Sequence, residues 1–145
     1  MVVWSSSEEG YLCGIQSIYT NMNNPSQILT SPIIKGDVPN TIQTSLNFSI
    51  DEQIIEIKGN LSIGIIGRIR ILTSHGRYIE CGNNSGEEFN WKFNSKQYVI
   101  GFKGCANDYM TFLFVIHVDR IPQVVAKDIK KITYPNMLKP CIVMK

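Results

Sequence analysis

Histidine and closely spaced cysteine are what this 145-residue sequence most lacks. Its only histidines are His75 and His117, and no two of Cys13, Cys81, Cys105 and Cys141 lie within ten residues of each other. That spacing gives neither a CxxC pair nor a zinc-finger pattern, so no metal or other cofactor is expected. There is no phosphate-binding glycine loop, no nucleophile elbow and no Ser/His/Asp order. The adjacent carboxylates Glu8-Glu9 and Glu87-Glu88 would point to opposite faces of a strand. Cys105 and His117, the one thiol and imidazole close in sequence, have no third group to orient the base. An enzyme is not expected. Charge of one sign is also scarce, since 14 Lys+Arg against 12 Asp+Glu leave a net of +2. The aromatics fall in apolar runs without interleaved basic residues, which argues against nucleic acid. No apolar run reaches the roughly 18 residues of a membrane span. Val2-Val3-Trp4, followed by three serines and two glutamates, is too short and too acidic for a secretory signal.

An even number of cysteines allows two disulfides in three connectivities, and equally four buried thiols in a reducing compartment. A Cys13–Cys141 bridge would close a long loop, worth on the order of 4 kcal/mol in the chain-entropy model. Three Asn-x-Ser sequons, at Asn47, Asn60 and Asn83, lean toward a secretory route. Residues 119–145 hold six basic and two acidic groups, a net of +4, and make a mildly basic tail.

What the sequence has in quantity is alternation. Ile42, Thr44, Leu46, Phe48 and Ile50 alternate with polar residues, as do Ile55 and Ile57, and then Ile69, Ile71 and Thr73. A period of two argues for half-buried antiparallel strands, and the β-branched and aromatic content suits them. Turn signals separate the runs at Asn23-Asn24-Pro25, Pro39-Asn40, Lys58-Gly59-Asn60, Ser74-His75-Gly76 and Gly82 to Gly86. Strands are expected over 14–20, 41–50, 53–58, 63–73, 77–81, 87–93, 97–104 and 110–118. Thr111 to Val118 is nearly all apolar and reads as a central strand covered on both sides. Only 123–132, bounded by Pro122 and Pro135, has helical spacing, and its β-branched residues count against it. The length suits a single all-β domain, which can bury roughly 68% of its unfolded surface without a staple.

Five segments, in order from about Gly14 to Asp119, resemble the jacalin-related lectin family. They are Gly14-Ile15-Gln16-Ser17-Ile18-Tyr19, Leu46 to Gly59, Ile69 to Tyr78, Gly82 to Phe89 with Cys81 at an aromatic position, and Val99-Ile100-Gly101-Phe102-Lys103-Gly104. The resemblance implies a β-prism of three antiparallel Greek-key sheets that binds carbohydrate without metal. The family's early glycine-rich strand has no counterpart in residues 1–13, whose only glycine is Gly10. The extension at 120–145 is therefore expected to fill the place of a missing first strand and cover the edge left open.

A metal-free sugar site needs a carboxylate to accept from adjacent hydroxyls, backbone N–H donors and an aromatic face. The resemblance assigns these to a loop after the Gly-Phe-x-Gly strand, here Gly104-Cys105-Ala106-Asn107-Asp108-Tyr109-Met110-Thr111. Asn107 stands where the family pattern has glycine, and Thr111 where it has the sugar-gripping aspartate. That exchange loses about 1–3 kcal/mol of charge-assisted bonding. Gly104, Asn107, Asp108, Tyr109 and Thr111 are the candidate carbohydrate residues, with Asp108 as the substitute carboxylate and Tyr109 as the aromatic face. Arg77, beside His75, is a further candidate for an anionic sugar, and Glu52 reads as a solvated acid at the start of a strand. The expected function is a lectin-like module whose partner is a glycan or glycoprotein. The competing expectation is a protein-interaction or adhesion module that has lost sugar binding, with an apolar patch near Trp4, Tyr11 and Leu12. Either would be part of a larger secreted or cell-surface protein.

Overall fold

A computed structural model describes residues 1–21, 24–49 and 51–119. They form twelve strands and no helix. The strands are β1 (Val2–Ser6), β2 (Leu12–Gln16), β3 (Ile18–Asn21), β4 (Asn24–Thr30), β5 (Ile34–Lys35), β6 (Thr41–Ser45), β7 (Ile54–Ser62), β8 (Ile65–Thr73), β9 (Tyr78–Gly82), β10 (Glu87–Lys92), β11 (Gln97–Ala106) and β12 (Met110–Asp119). All pairings are antiparallel. One face has the order β5-β2-β1-β6, a second β10-β7-β8-β9, and the third consists of the ribbons β3-β4 and β11-β12. β2 and β12 pack on β8 and on each other, so the three faces meet around one axis. The apolar stripes fill that axis with Val3, Leu12, Ile15, Ile57, Ile69, Ile71, Ile79, Met110 and Leu113.

The alternation that marked β8 has a direct cause. Ile69, Ile71 and Thr73 are buried, whereas Arg68, Arg70 and Leu72 face outward. Arg70 lies over the Tyr78 ring and pairs with Glu80, which also meets Arg68.

Five expectations are corrected. The place of a first strand is not empty, because β1 is hydrogen-bonded between β2 and β6. All five of its residues are buried, Val3 against the axis and Val2 and Trp4 in a second cluster with Cys13. With both faces covered, β1 shows no alternation. The Lys58-Gly59-Asn60 turn is also absent. β7 runs through it, and a Cβ at Gly59 would overlap the Arg68 carbonyl beneath the Phe89 ring. The reversal falls instead at Ile63 and Gly64, both with positive φ, as a two-residue hairpin requires. The segment 14–20 is two strands on different faces, broken at Ser17, and the run 41–50 ends as a strand at Ser45. Finally, among the described residues β12 is not covered on both sides: Phe114 is 62% exposed, and Ile116 and Val118 are exposed too. The expected helix at 123–132, the extension at 120–145 and Cys141 lie outside the described residues. Cys13 and Cys81 are buried thiols, and burial pushes Cys81 up to about 12.

Candidate functional site

Four loops converge at one pole of the prism: β1–β2 (residues 7–11), β5–β6 (36–40), β9–β10 (83–86) and β11–β12 (107–109). The Ser6 hydroxyl oxygen accepts from the N–H groups of Glu8 and Glu9, both at 3.2 Å, and so turns the chain after β1. The Ser7 N–H donates to the Asn40 carbonyl at 3.0 Å, and the Asn83 side-chain amide donates to the Glu9 carbonyl at 2.6 Å. The Asp37 N–H reaches the Asn107 carbonyl at 3.2 Å. Gly36 lies so close below the β11–β12 tip that a Cβ there would overlap the Asp108 carbonyl oxygen. Only glycine lets the two backbones approach in this way.

Tyr109 joins these loops. Its ring meets Tyr11 edge to face, with centroids 5.4 Å apart. The Glu9 carboxylate beside its hydroxyl, ahead of burial, holds the phenol above its ordinary range. Below it, Val2, Trp4 and Cys13 form a small apolar floor with Val38. The Trp4 indole N–H donates to Gln43 at 3.1 Å. The pole thus offers exposed carboxylates at Glu9 and Asp108 beside two tyrosine rings, the components a neutral polyol needs.

The expected residues are distributed unevenly. Asn107, Asp108 and Tyr109 occupy the tip. Thr111 is the second residue of β12, and its hydroxyl donates to the Cys105 carbonyl across the hairpin at 3.2 Å. Gly104 is inside β11, where a Cβ would meet the Phe112 carbonyl at 2.6 Å, so its role is strand pairing. Arg77 is at the opposite pole. The β8–β9 turn carrying it lies a full strand length from the β9–β10 turn at Asn83. There Arg77 pairs with Glu52 and donates to the Asn47 carbonyl at 2.7 Å. Glu52 is not a solvated acid. Its side chain is fully buried, and it accepts from the Ser49 N–H, the Thr73 hydroxyl and the Arg77 guanidinium. The Arg77 hydrogen bond, outweighing desolvation, lowers it to about 2. A cavity of about 620 Å³ opens between the β3-β4 and β11-β12 ribbons. It is lined by Tyr19, Phe48, Glu52 and Phe102 and lies away from the loop pole.

The sequence pattern does not single out Glu9 and Gly36, and it marks Tyr11 only as part of an apolar patch. Glu8-Glu9 was treated as part of a strand, but it sits on a turn. The usable signal was the Ser-Ser-Ser-Glu-Glu-Gly stretch itself, a serine-capped turn ending in glycine.

The sequence profile of the jacalin-like lectin domain matches residues 3–115. The chain belongs to the jacalin-like lectin domain family. No curated protein matches it. Among solved structures, artocarpin complexed with methyl-α-mannose is similar at 18% identity and a TM-score of 0.63, covering 80% of each chain. Frutalin from Artocarpus incisa with galactose is similar at 21% identity and a TM-score of 0.65, covering 81% of this chain and 90% of that one. The jacalin–T-antigen complex is similar at 20% and 0.64, covering 80% of this chain and 89% of that one. At these identities the likeness is one of fold, and it matches the three-faced prism. As a lectin domain the chain is a carbohydrate-binding module and not an enzyme.

Proposed function

We propose that this lectin domain binds glycans, without a metal ion, at the pole formed by its β1–β2, β5–β6 and β11–β12 loops. One observation carries the placement: the Tyr109 ring meets the Tyr11 ring edge to face at 5.4 Å, making the two key loops one surface. The Asp108 and Glu9 carboxylates accept from sugar hydroxyls, and the tyrosine rings cover a C–H face. The Thr111 hydroxyl proton goes to Cys105, so Thr111 does not supply the charged acceptor that the family pattern puts there. The relatives with methyl-α-mannose and with galactose supply the sugars to try first.

The reading is tested on a glycan array followed by calorimetry with the best hits, comparing the native chain with Asp108→Ala and Tyr109→Ala. Each substitution should weaken binding at least about tenfold, the loss of a charged hydrogen bond or an aromatic cover. Unchanged affinity in both would refute the placement. The competing adhesion reading placed its apolar patch near Trp4, Tyr11 and Leu12, but Trp4 and Leu12 are buried. We further propose the secreted or cell-surface setting that the sequons suggested, with Asn47 the exposed acceptor.

A further inference from the structure

The loops that form the candidate pole carry charge of a single sign. Glu8 and Glu9, Asp37 and Asp108 are all exposed, and residues 7–11, 36–40, 83–86 and 107–109 include no lysine or arginine. Lys35 and Arg68 come close to these loops from β5 and β8. The Lys35 ammonium sits 5.8 Å from the Trp4 ring centroid, and Arg68 is held by Asn84 and Glu80. The acids are kept together by the loop stitching. The Asn40 amide donates to the Glu8 carboxylate at 3.4 Å, the Asp37 N–H donates to the Asn107 carbonyl, and the Glu9 N–H donates to the Ser6 hydroxyl oxygen.

We propose that this pole selects uncharged glycans and excludes glycans ending in a carboxylate or a sulfate. The inference rests on the binding site proposed above and adds the chemical class of its ligand. Sugar hydroxyls are neutral donors, which carboxylates accept without charge conflict. A sialic acid or sulfate brings an anion among four acidic side chains with no cation in the same loops to receive it. Water and salt screen each exposed acid, yet those within the Debye length of about 8 Å at physiological ionic strength still act. Together they disfavour the anionic ligand by about tenfold, and the preference weakens as salt rises.

The experiment uses the full chain and matched pairs of oligosaccharides, each neutral one set beside its sialylated or sulfated form. Affinities are measured at 0.15 M and 1 M NaCl. The native chain should bind the neutral member about tenfold or more tightly at the lower salt, with the gap closing toward two- to threefold at the higher. The exposed double variant Glu8→Gln, Asp37→Asn should narrow the gap at low salt, read as the ratio of the neutral to the acidic affinity within each pair. Equal or tighter binding of the acidic members would overturn the charge rule while leaving the site standing. So would a gap indifferent to both salt and the double variant, which would be steric. Silence toward both members of every pair would overturn the site itself, and this inference with it.

Discussion

Replacing Glu52 by alanine should destabilise the fold without touching sugar binding. The carboxylate is wholly buried and is shared by the Ser49 N–H, the Thr73 hydroxyl and Arg77. Removing it leaves the buried Thr73 hydroxyl unpaired at about 1–3 kcal/mol, and the part-buried Ser49 N–H loses its acceptor at a smaller cost. It also leaves Arg77, 44% exposed, without its anion, which water partly compensates. The expected loss is about 3 kcal/mol, or roughly 10 °C in Tm for a chain of this size. Acid titration gives an independent reading. The Glu52 carboxyl is lowered from 4.5 to about 2 in the folded state. Its contribution is therefore complete above pH 4.5 and is lost as pH falls toward 2. The shift alone corresponds to about 3 kcal/mol, which screening at the exposed guanidinium reduces to about 1–2 kcal/mol. Urea unfolding of the native chain and of Glu52→Gln between pH 5 and 2 should show curves that converge toward the acid end. A loss below about 1 kcal/mol at neutral pH, or parallel curves, would refute the buried-anchor reasoning. Weakened glycan binding in a folded Glu52→Ala would refute the separation of the two poles.

Gly36→Ala should push the β11–β12 tip away through the Asp108 carbonyl. Glycan affinity should fall at least about tenfold for a stability loss near 1–2 kcal/mol, measured by calorimetry and urea unfolding side by side. Ile69→Ala, at the prism axis, should cost about 3–4 kcal/mol in urea unfolding. Of the three sequons, Asn47 is exposed, Asn60 is 3% exposed, and the Asn83 amide is bonded to Glu9. Expression through a eukaryotic secretory route should therefore glycosylate Asn47 and leave Asn60 bare, as read by peptide mass spectrometry.

The strands from β7 to β12 were readable where one face meets the axis and the other meets water, as in Ile69-Arg70-Ile71. β1 was not, because burial of Val2 to Ser6 on both faces erases the alternation. β5, two residues long, and β4, which contains Pro25, carry too little pattern to register. The tip Asn107-Asp108-Tyr109 could be anticipated from the loop sequence alone. Its partners could not, since Glu9, Tyr11 and Gly36 reach it only through the closed topology. The Glu52 network was hidden for the same reason: Thr73 and Arg77 are 21 and 25 residues away in sequence.

The account is tested most directly by amide chemical-shift mapping during titration with a neutral oligosaccharide that scores on the array. The largest shifts should fall on residues 8–11, 36–40 and 107–111, with Ser49, Glu52 and residues 74–77 still. Shifts centred on the Glu52–Arg77 pole, or on the cavity between the two ribbons, would contradict it.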